Sequence, residues 1–124
     1  MNEIKLGRQN IDEKEILGEK NDCTVRALMD GLEIPYLEAY GIALGCGRKK
    51  GKGANILGYL DSIAIKKYPK PNMSVDSYIR FIAHTGNWII QIRGHVFAVR
   101  EGEIRDEYPK GNLNCHVIQA WRVK

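Results

Sequence analysis

The segment GHVFAVREGEIRDEYP, residues 94–109, contains two short runs of branched and aromatic residues on either side of Glu101-Gly102. We interpret this pair as a two-residue β-hairpin turn. Pairing across the turn puts alternate residues from His95 to Asp106 on one mainly apolar, inward face, with these two as diagonal neighbours. An ionisable pair on such a face is costly unless its members satisfy each other. The segment therefore predicts antiparallel strands that carry a paired histidine and aspartate.

The chain before this hairpin has the periodicity of helices. Apolar stripes predict four of them, at residues 22–32, 35–44, 54–63 and 73–84. Asp22 and Ser74 are the expected N-caps, and Gly31 followed by Pro35 is expected to end the first helix. Short strand-like runs follow from residue 87 onward. Helices first and strands second indicate an α+β domain with a C-terminal antiparallel sheet.

Length and composition suggest a single domain over residues 1–124, with residues 1–20 as an N-terminal extension or wrap. No apolar run approaches the roughly 20 residues that span a bilayer, so no membrane association is expected. The first 20 residues also lack the apolar core of a secretory signal. Three cysteines in such a chain predict free thiols in a reducing cytoplasm.

The net charge of +4 is concentrated in residues 44–70, which contain seven basic residues and the single acid Asp61. The loop GCGRKKGKG, residues 45–53, fails the P-loop pattern because Gly53 follows Lys52 where a serine or threonine is required. We interpret it as a solvated loop. The alternative is contact with nucleic acid or an acidic partner through the basic residues Arg48, Lys49, Lys50 and Lys52.

The remaining cysteines and histidines do not predict a metal site. Cys46, Cys115, His84 and His116 have no zinc-finger or zinc-ribbon spacing. We therefore expect neither a metal nor a cofactor.

Cys23 is the remaining candidate for chemistry. At 100° per residue it projects about 170° from the apolar stripe of its helix, on the side of Arg26 and Asp30. A cysteine chosen only for burial would more often lie within the stripe. The first turn of a helix favours a thiolate, because its N–H groups are unpaired and the helix dipole is positive there. Cys23, His95 and Asp106 would together form a catalytic triad, with the thiol as nucleophile, the imidazole as base and the carboxylate orienting the imidazole.

A cysteine opening the first helix, a histidine beginning a later strand and an acid on the next strand resemble the papain-like cysteine hydrolases. That superfamily includes bacterial peptidases, cell-wall amidases and transglutaminase-like enzymes. More narrowly, four stretches are similar to small papain-fold proteins of phages and bacteria: NDCTVRAL (21–28), GRKKGKG (47–53), GHVFAVREGEIRD (94–106) and VIQAWRV (117–123). The resemblance covers residues 21–123.

This resemblance implies a role for each matched residue. Cys23 would be the nucleophile, His95 the general base and acid, and Asp106 the orienting carboxylate. The oxyanion hole would use the Cys23 backbone N–H and a side-chain donor. Papain-like enzymes place a glutamine a few residues before the cysteine, where this chain has Leu17. Asn21 is the nearest substitute.

The implied function is a cysteine-dependent hydrolase or acyl transferase that acts on a peptide, isopeptide or amide through a thioester. The alternative from another class is a catalytically silent papain-like module that binds or inhibits a host protein. A phage-encoded chain would then work in the host cytoplasm. A third hypothesis is that the protein binds nucleic acid through the basic residues at positions 48–52.

Overall fold

A computed structural model describes residues 4–8, 22–47, 55–106 and 109–124. Within these ranges there are four helices: α1 (Cys23–Leu32), α2 (Tyr36–Gly45), α3 (Leu57–Ile63) and α4 (Val75–Phe81). They accompany six strands: β1 (Lys5–Arg8), β2 (Lys66–Pro69), β3 (Asn87–Ile92), β4 (His95–Arg100), β5 (Glu103–Asp106) and β6 (Gln119–Arg122). A 3-10 turn covers Pro109–Asn112. The predicted α+β class is confirmed.

The sheet is mixed rather than antiparallel, which corrects the sequence prediction. Its strand order is β1-β5-β4-β3-β6-β2. Strand β1 pairs with β5 in parallel, while every other pair of neighbours is antiparallel. Parallel pairing of β1 could not be read from local patterns, because its partner lies almost a hundred residues away. Strand β2 was also missed, since all four of its residues are exposed and give no alternating pattern.

Helices cover both faces of the sheet. Side chains from α1, α2 and α3 pack on one face around Ile89 and Trp121. Helix α4 packs on the other face against Ile90 and Phe97. Because strand side chains alternate between faces, the buried run Asn87–Ile90 serves both cores at once. The face of β4 opposite His95 is therefore also covered, and Val96 and Ala98 on that face are buried.

The predicted hairpin is confirmed in type and register. Strands β4 and β5 pair Arg100 with Glu103 and Val99 with Ile104. Glu101 and Gly102 both have positive φ, at 49° and 80°. Two consecutive residues in that region make a type I′ turn, whose twist matches that of the flanking strands.

Helix α1 begins and ends where predicted, but its termini work differently. Asp22 occupies the N-cap position without a side-chain capping bond, because its carboxylate is used in the site described below. The left-handed C-cap residue is Glu33, with φ of 57°. Gly31 lies inside the last turn, where an added Cβ would come within 2.8 Å of Cγ1 of Ile89. Its role is close packing of α1 on the sheet.

The packing of α2 differs in detail from the prediction, whereas the N-cap of α4 agrees with it. Helix α2 turns the small side chains Ala39 and Ala43 inward and leaves Leu37 and Leu44 about half exposed. Helix α4 is capped as predicted, since the Ser77 N–H donates to Ser74 Oγ over 3.2 Å. Over the described part of the chain, no helix combines the length and apolar character needed to cross a bilayer.

Several predictions fall on residues outside the described ranges. These are most of the N-terminal segment 1–20, the oxyanion candidate Asn21, the start of the third helix at residue 54, and the basic residues Arg48, Lys49, Lys50 and Lys52.

Candidate active site

Cys23 is the first residue of α1 and is half-buried. Its backbone N–H belongs to the first turn, where no intrahelical acceptor is available. The thiol lies at the positive end of the helix dipole, which favours a negative sulfur. The side chain of His95 and the backbone N–H of Val96 both lie beside the thiol and lower its pKa. The start of α1 thus brings the thiol to the start of β4.

His95 opens β4 and connects the thiol to a carboxylate. Its Nε2 lies 2.6 Å from Oδ2 of Asp106. The ring stacks on Phe97 at a centroid distance of 5.9 Å and an interplanar angle of 24°. Because Nε2 is engaged by Asp106, Nδ1 is the nitrogen that remains for Cys23. The imidazole is therefore held from three sides, with one nitrogen presented to the thiol.

The electrostatics of this pair favour charge separation. Burial raises the pKa of the Cys23 thiol, but hydrogen bonds from His95 and Val96, with the positive charges of His95 and Arg26, outweigh it. The pKa of Cys23 consequently lies below its ordinary value. Burial likewise lowers the pKa of His95, but hydrogen bonds and charges from Asp106 and Cys23 raise it to about 9. The two shifts act in the same sense, because each favours the charged form of its group.

Asp106 is the hub of the site. It is only 4% exposed and accepts hydrogen bonds from the side chains of three of the described residues. Oδ2 receives His95 and, at 2.7 Å, Nδ2 of Asn112. Oδ1 receives Nη1 of Arg26 at 2.9 Å. A buried carboxylate that accepts this many hydrogen bonds is held in one orientation.

A buried network links this hub back to α1. The Nε of Arg26 donates to Oδ1 of Asp22 over 2.9 Å, and the Tyr36 hydroxyl donates to Oδ2 of Asp22 over 2.7 Å. Arg26 thus bridges two buried carboxylates and ties the helix that carries the thiol to the strand that carries Asp106. The sequence signal for Arg26 was its i,i+4 spacing from Asp22 on the side of Cys23. Asn112 and Tyr36 gave no signal, because their partners are set by tertiary folding.

The site lies at the end of β4, between the two hydrophobic cores that cover opposite faces of the sheet. By alternation along β4, His95 shares a face with Phe97, which packs in the core beneath α4. Cys23 packs with the opposite core, beneath α1. The sulfur and the imidazole therefore approach each other around the end of β4, which leaves His95 partly open, with 24% of its side chain exposed.

The arrangement brings Cys23, His95 and Asp106 together, while Asn21 lies outside the described residues. A separate cavity of about 450 Å³ lies at the other end of the sheet, lined by Arg100, Arg105 and Lys124 among others. These cations are in ion pairs with Asp30, Glu33 or Glu103. Because it lies at the other end of the sheet, the cavity is not part of the thiol site.

Comparison of the chain with protein-family models, curated proteins and solved structures found no match. Functional assignment rests on the geometry of the site. That geometry offers a thiol whose pKa is lowered, an imidazole whose pKa is raised to about 9, and a fixed carboxylate behind it. This combination suits nucleophilic attack on an acyl carbon followed by proton transfer to a leaving group.

Proposed function

We propose that this protein is a cysteine-dependent hydrolase or acyl transferase with a papain-like arrangement of Cys23, His95 and Asp106. The observation that carries the proposal is the continuous linkage from thiol to imidazole to buried carboxylate, with the thiol at a helix start. A cysteine or histidine with a purely structural role does not require all of these features together: a thiol at a helix start, an imidazole beside it and a buried carboxylate behind the imidazole.

In the first half of the reaction, the Cys23 thiolate forms a bond to the acyl carbon, and the carbonyl π pair moves to oxygen. The tetrahedral intermediate collapses by expelling the amine, which takes a proton from the His95 imidazolium. The product of this half is a thioester on Cys23 and a neutral imidazole.

In the second half, His95 removes a proton from water, or from an acceptor amine, as its oxygen or nitrogen attacks the thioester carbon. Collapse of the second intermediate expels the Cys23 thiolate and releases a carboxylic acid or a new amide. His95 is again protonated, so the thiolate–imidazolium pair is restored. Throughout, Asp106 accepts the N–H of the same ring nitrogen and keeps the other nitrogen toward the reacting atoms.

The substrate class is a peptide, isopeptide or other amide, because His95 is placed to protonate a leaving nitrogen. A cytoplasmic site of action follows from the same proposal. Cys23, Cys46 and Cys115 are all free thiols, and a thiolate nucleophile needs a reducing compartment to stay active.

The direct test is capture of the acyl-enzyme. Wild-type protein is mixed with p-nitrophenyl acetate, and intact-mass spectrometry with peptide mapping locates the acetyl group. We expect one acetyl group on Cys23, with release of p-nitrophenol in a burst. Cys23→Ala should show no acetylation at position 23, and His95→Ala should slow it strongly. Acetylation of Cys46 or Cys115 at the same rate as Cys23 in the wild-type protein would reject the proposal.

A second candidate is a silent papain-like module that binds a host protein. The observation in its favour is the outer face of α2, where Leu37 is 57% and Leu44 is 48% exposed. The two functions differ in their dependence on the thiol. A biological effect that survives Cys23→Ala but not Leu37→Asp would favour the binding module, and the reverse pattern favours the enzyme.

A further inference from the structure

Acyl transfer at Cys23 needs hydrogen-bond donors for the carbonyl oxygen that becomes negatively charged. The backbone N–H of Cys23 is one such donor, because the first turn of a helix leaves it unpaired. A side-chain donor is also needed beside the thiol.

The direction of α1 shows which residues of the sheet lie beneath its N-terminus. At the C-terminal end of α1, Gly31 packs directly on Ile89 of β3. At the N-terminal end, Cys23 is hydrogen-bonded to Val96, and Val96 is paired with Gln91 of β3. Helix α1 therefore runs antiparallel along β3, and its N-terminus lies at the Gln91 end of that strand.

The side chain of Gln91 points to the helix rather than away from it. Strand alternation puts it on the same face as Ile89, which belongs to the core beneath α1. Nε2 of Gln119, the residue paired with Gln91 on β6, donates to Oε1 of Gln91 over 2.6 Å. A single amide–amide bond of this kind leaves one NH₂ group of the pair unused. Both side chains are only partly buried, so that group is not sealed inside the core.

A second polar group on the same side of α1 lacks a partner. Thr24 lies seven residues, two helical turns, before Gly31 and so faces the sheet in the same direction. The residue is 6% exposed, and its Oγ1 is buried with no hydrogen-bond partner among the described residues. A buried hydroxyl without a partner is unfavourable by about 1–3 kcal/mol. Such a group next to the thiol is typical of a place that a ligand completes.

We infer that Gln91 supplies the side-chain donor of the oxyanion hole, with Gln119 as the positioning residue that fixes its amide. Thr24 lies in the first turn of α1 beside Cys23, so its unsatisfied hydroxyl belongs to the same end of the helix. The inference rests on the proposed acyl-transfer function. Strand β3 would then supply the side-chain oxyanion donor that the family resemblance placed in the segment before Cys23.

Two reagents separate this inference from the proposed function. Iodoacetamide alkylates a thiolate without forming an oxyanion, whereas p-nitrophenyl acetate acylates it through one. Second-order rate constants for both are measured on wild type, Gln91→Leu, Gln91→Glu and Gln119→Leu, with Cys46 and Cys115 replaced by serine throughout. Leucine matches the size of glutamine without a donor, and glutamate keeps the shape with oxygen in place of the NH₂ group. Thermal unfolding establishes that each variant is folded.

For Gln91→Leu we expect acylation to slow by about 10²–10³-fold, the usual effect of losing one oxyanion donor, while alkylation stays within about twofold of wild type. Gln91→Glu should slow acylation at least as much. Gln119→Leu should slow it less, because the donor remains but is no longer held. Equal acylation rates in wild type and both Gln91 variants, with a reactive Cys23 thiolate, would overturn the inference and leave the proposed function standing. Slow alkylation of wild-type Cys23 would overturn the proposed function itself.

Discussion

His95 Nε2 lies 2.6 Å from Oδ2 of Asp106, and that carboxylate is almost fully buried. The contact fixes which ring nitrogen is left for Cys23, and it raises the pKa of the imidazole against the effect of burial. Because Arg26 and Asn112 hold the same carboxylate, the base is positioned by a network and not by one flexible partner. The activation of the thiol therefore depends on residues that never touch the substrate.

Replacement of Asp106 by asparagine should weaken catalysis without removing the nucleophile. Loss of the carboxylate removes the hydrogen bond and the negative charge by which Asp106 raises the pKa of His95, so that pKa should fall below about 9. Acylation at Cys23 should slow by roughly 10²–10⁴-fold, because the imidazole is no longer held in the productive tautomer. NMR titration of the His95 ring and burst kinetics measure the two effects.

Asp61→Asn is the matched control for that substitution. Asp61 accepts from the Trp121 Nε1 at 2.8 Å, away from the thiol, so its replacement should leave the His95 titration and the burst unchanged. An unshifted His95 pKa in Asp106→Asn would contradict the assigned role of Asp106.

Arg26 should be far more important for stability than its short spacing from Asp22 suggests. Arg26→Met leaves the buried acids Asp22 and Asp106 without their shared cation. Breaking such a buried pair is expected to reduce the free energy of unfolding by about 3–5 kcal/mol. Urea denaturation measures the change.

The control for Arg26 is Arg80→Met. Arg80 donates to Asp76 at the same i,i+4 spacing over 3.1 Å, but both side chains are partly exposed. Its loss should reduce the unfolding free energy by less than about 1 kcal/mol. Equal losses in the two variants would show that the Arg26 network contributes no more than a surface pair.

Folding stability should depend on pH in a way that exposes the ion pair. The raised pKa of His95 contributes stability below the ordinary value of 6.5, and that contribution is lost as pH rises toward about 9. The lowered pKa of Cys23 contributes stability above its ordinary value, which is lost as pH falls through the lowered one. In wild type the two contributions have opposite pH dependences and therefore offset each other in part.

Cys23→Ala removes that offset. Asp106 still raises the pKa of His95, so the unfolding free energy of the variant should fall as pH rises above 6.5. Denaturation curves at several pH values between 6 and 9 measure the slope. A flat profile in Cys23→Ala, or a slope as steep in wild type, would contradict the thiolate–imidazolium pair.

Two glycines in helices should respond oppositely to alanine. At Gly31 an added Cβ would come within 2.8 Å of Ile89, so Gly31→Ala should destabilise the protein by about 1–3 kcal/mol through overpacking. Gly41 in α2 has open space around the same position, and Gly41→Ala should stabilise it by about 0.5–1 kcal/mol. Thermal unfolding of the two variants compares the effects; destabilisation by Gly41→Ala would be inconsistent with the packing of α2.

Local patterns in the sequence were enough to predict the hairpin that carries His95 and Asp106, because strand alternation and a two-residue turn fix the register together. The start of α1 at Cys23 was also predictable from local sequence, because Asp22 is a typical N-cap residue and an apolar stripe of helical period follows it. The parallel strand β1 and the bridge from Arg26 to Asp106, 80 positions apart, depend on tertiary packing that no local window contains. Asp22 was predicted as a helix cap, but its carboxylate binds Arg26 and Tyr36 instead, since a buried cation needs a charged partner.

The central claim, that Cys23 is a nucleophile activated by His95, is tested most directly by the pH dependence of iodoacetamide alkylation. The protein carries serine at positions 46 and 115, so that Cys23 is the thiol measured. We predict a midpoint clearly below that of an ordinary cysteine, about 8.5, and a rise of at least one pH unit in His95→Ala. A midpoint at or above that of an ordinary cysteine, unchanged by His95→Ala, would contradict the account.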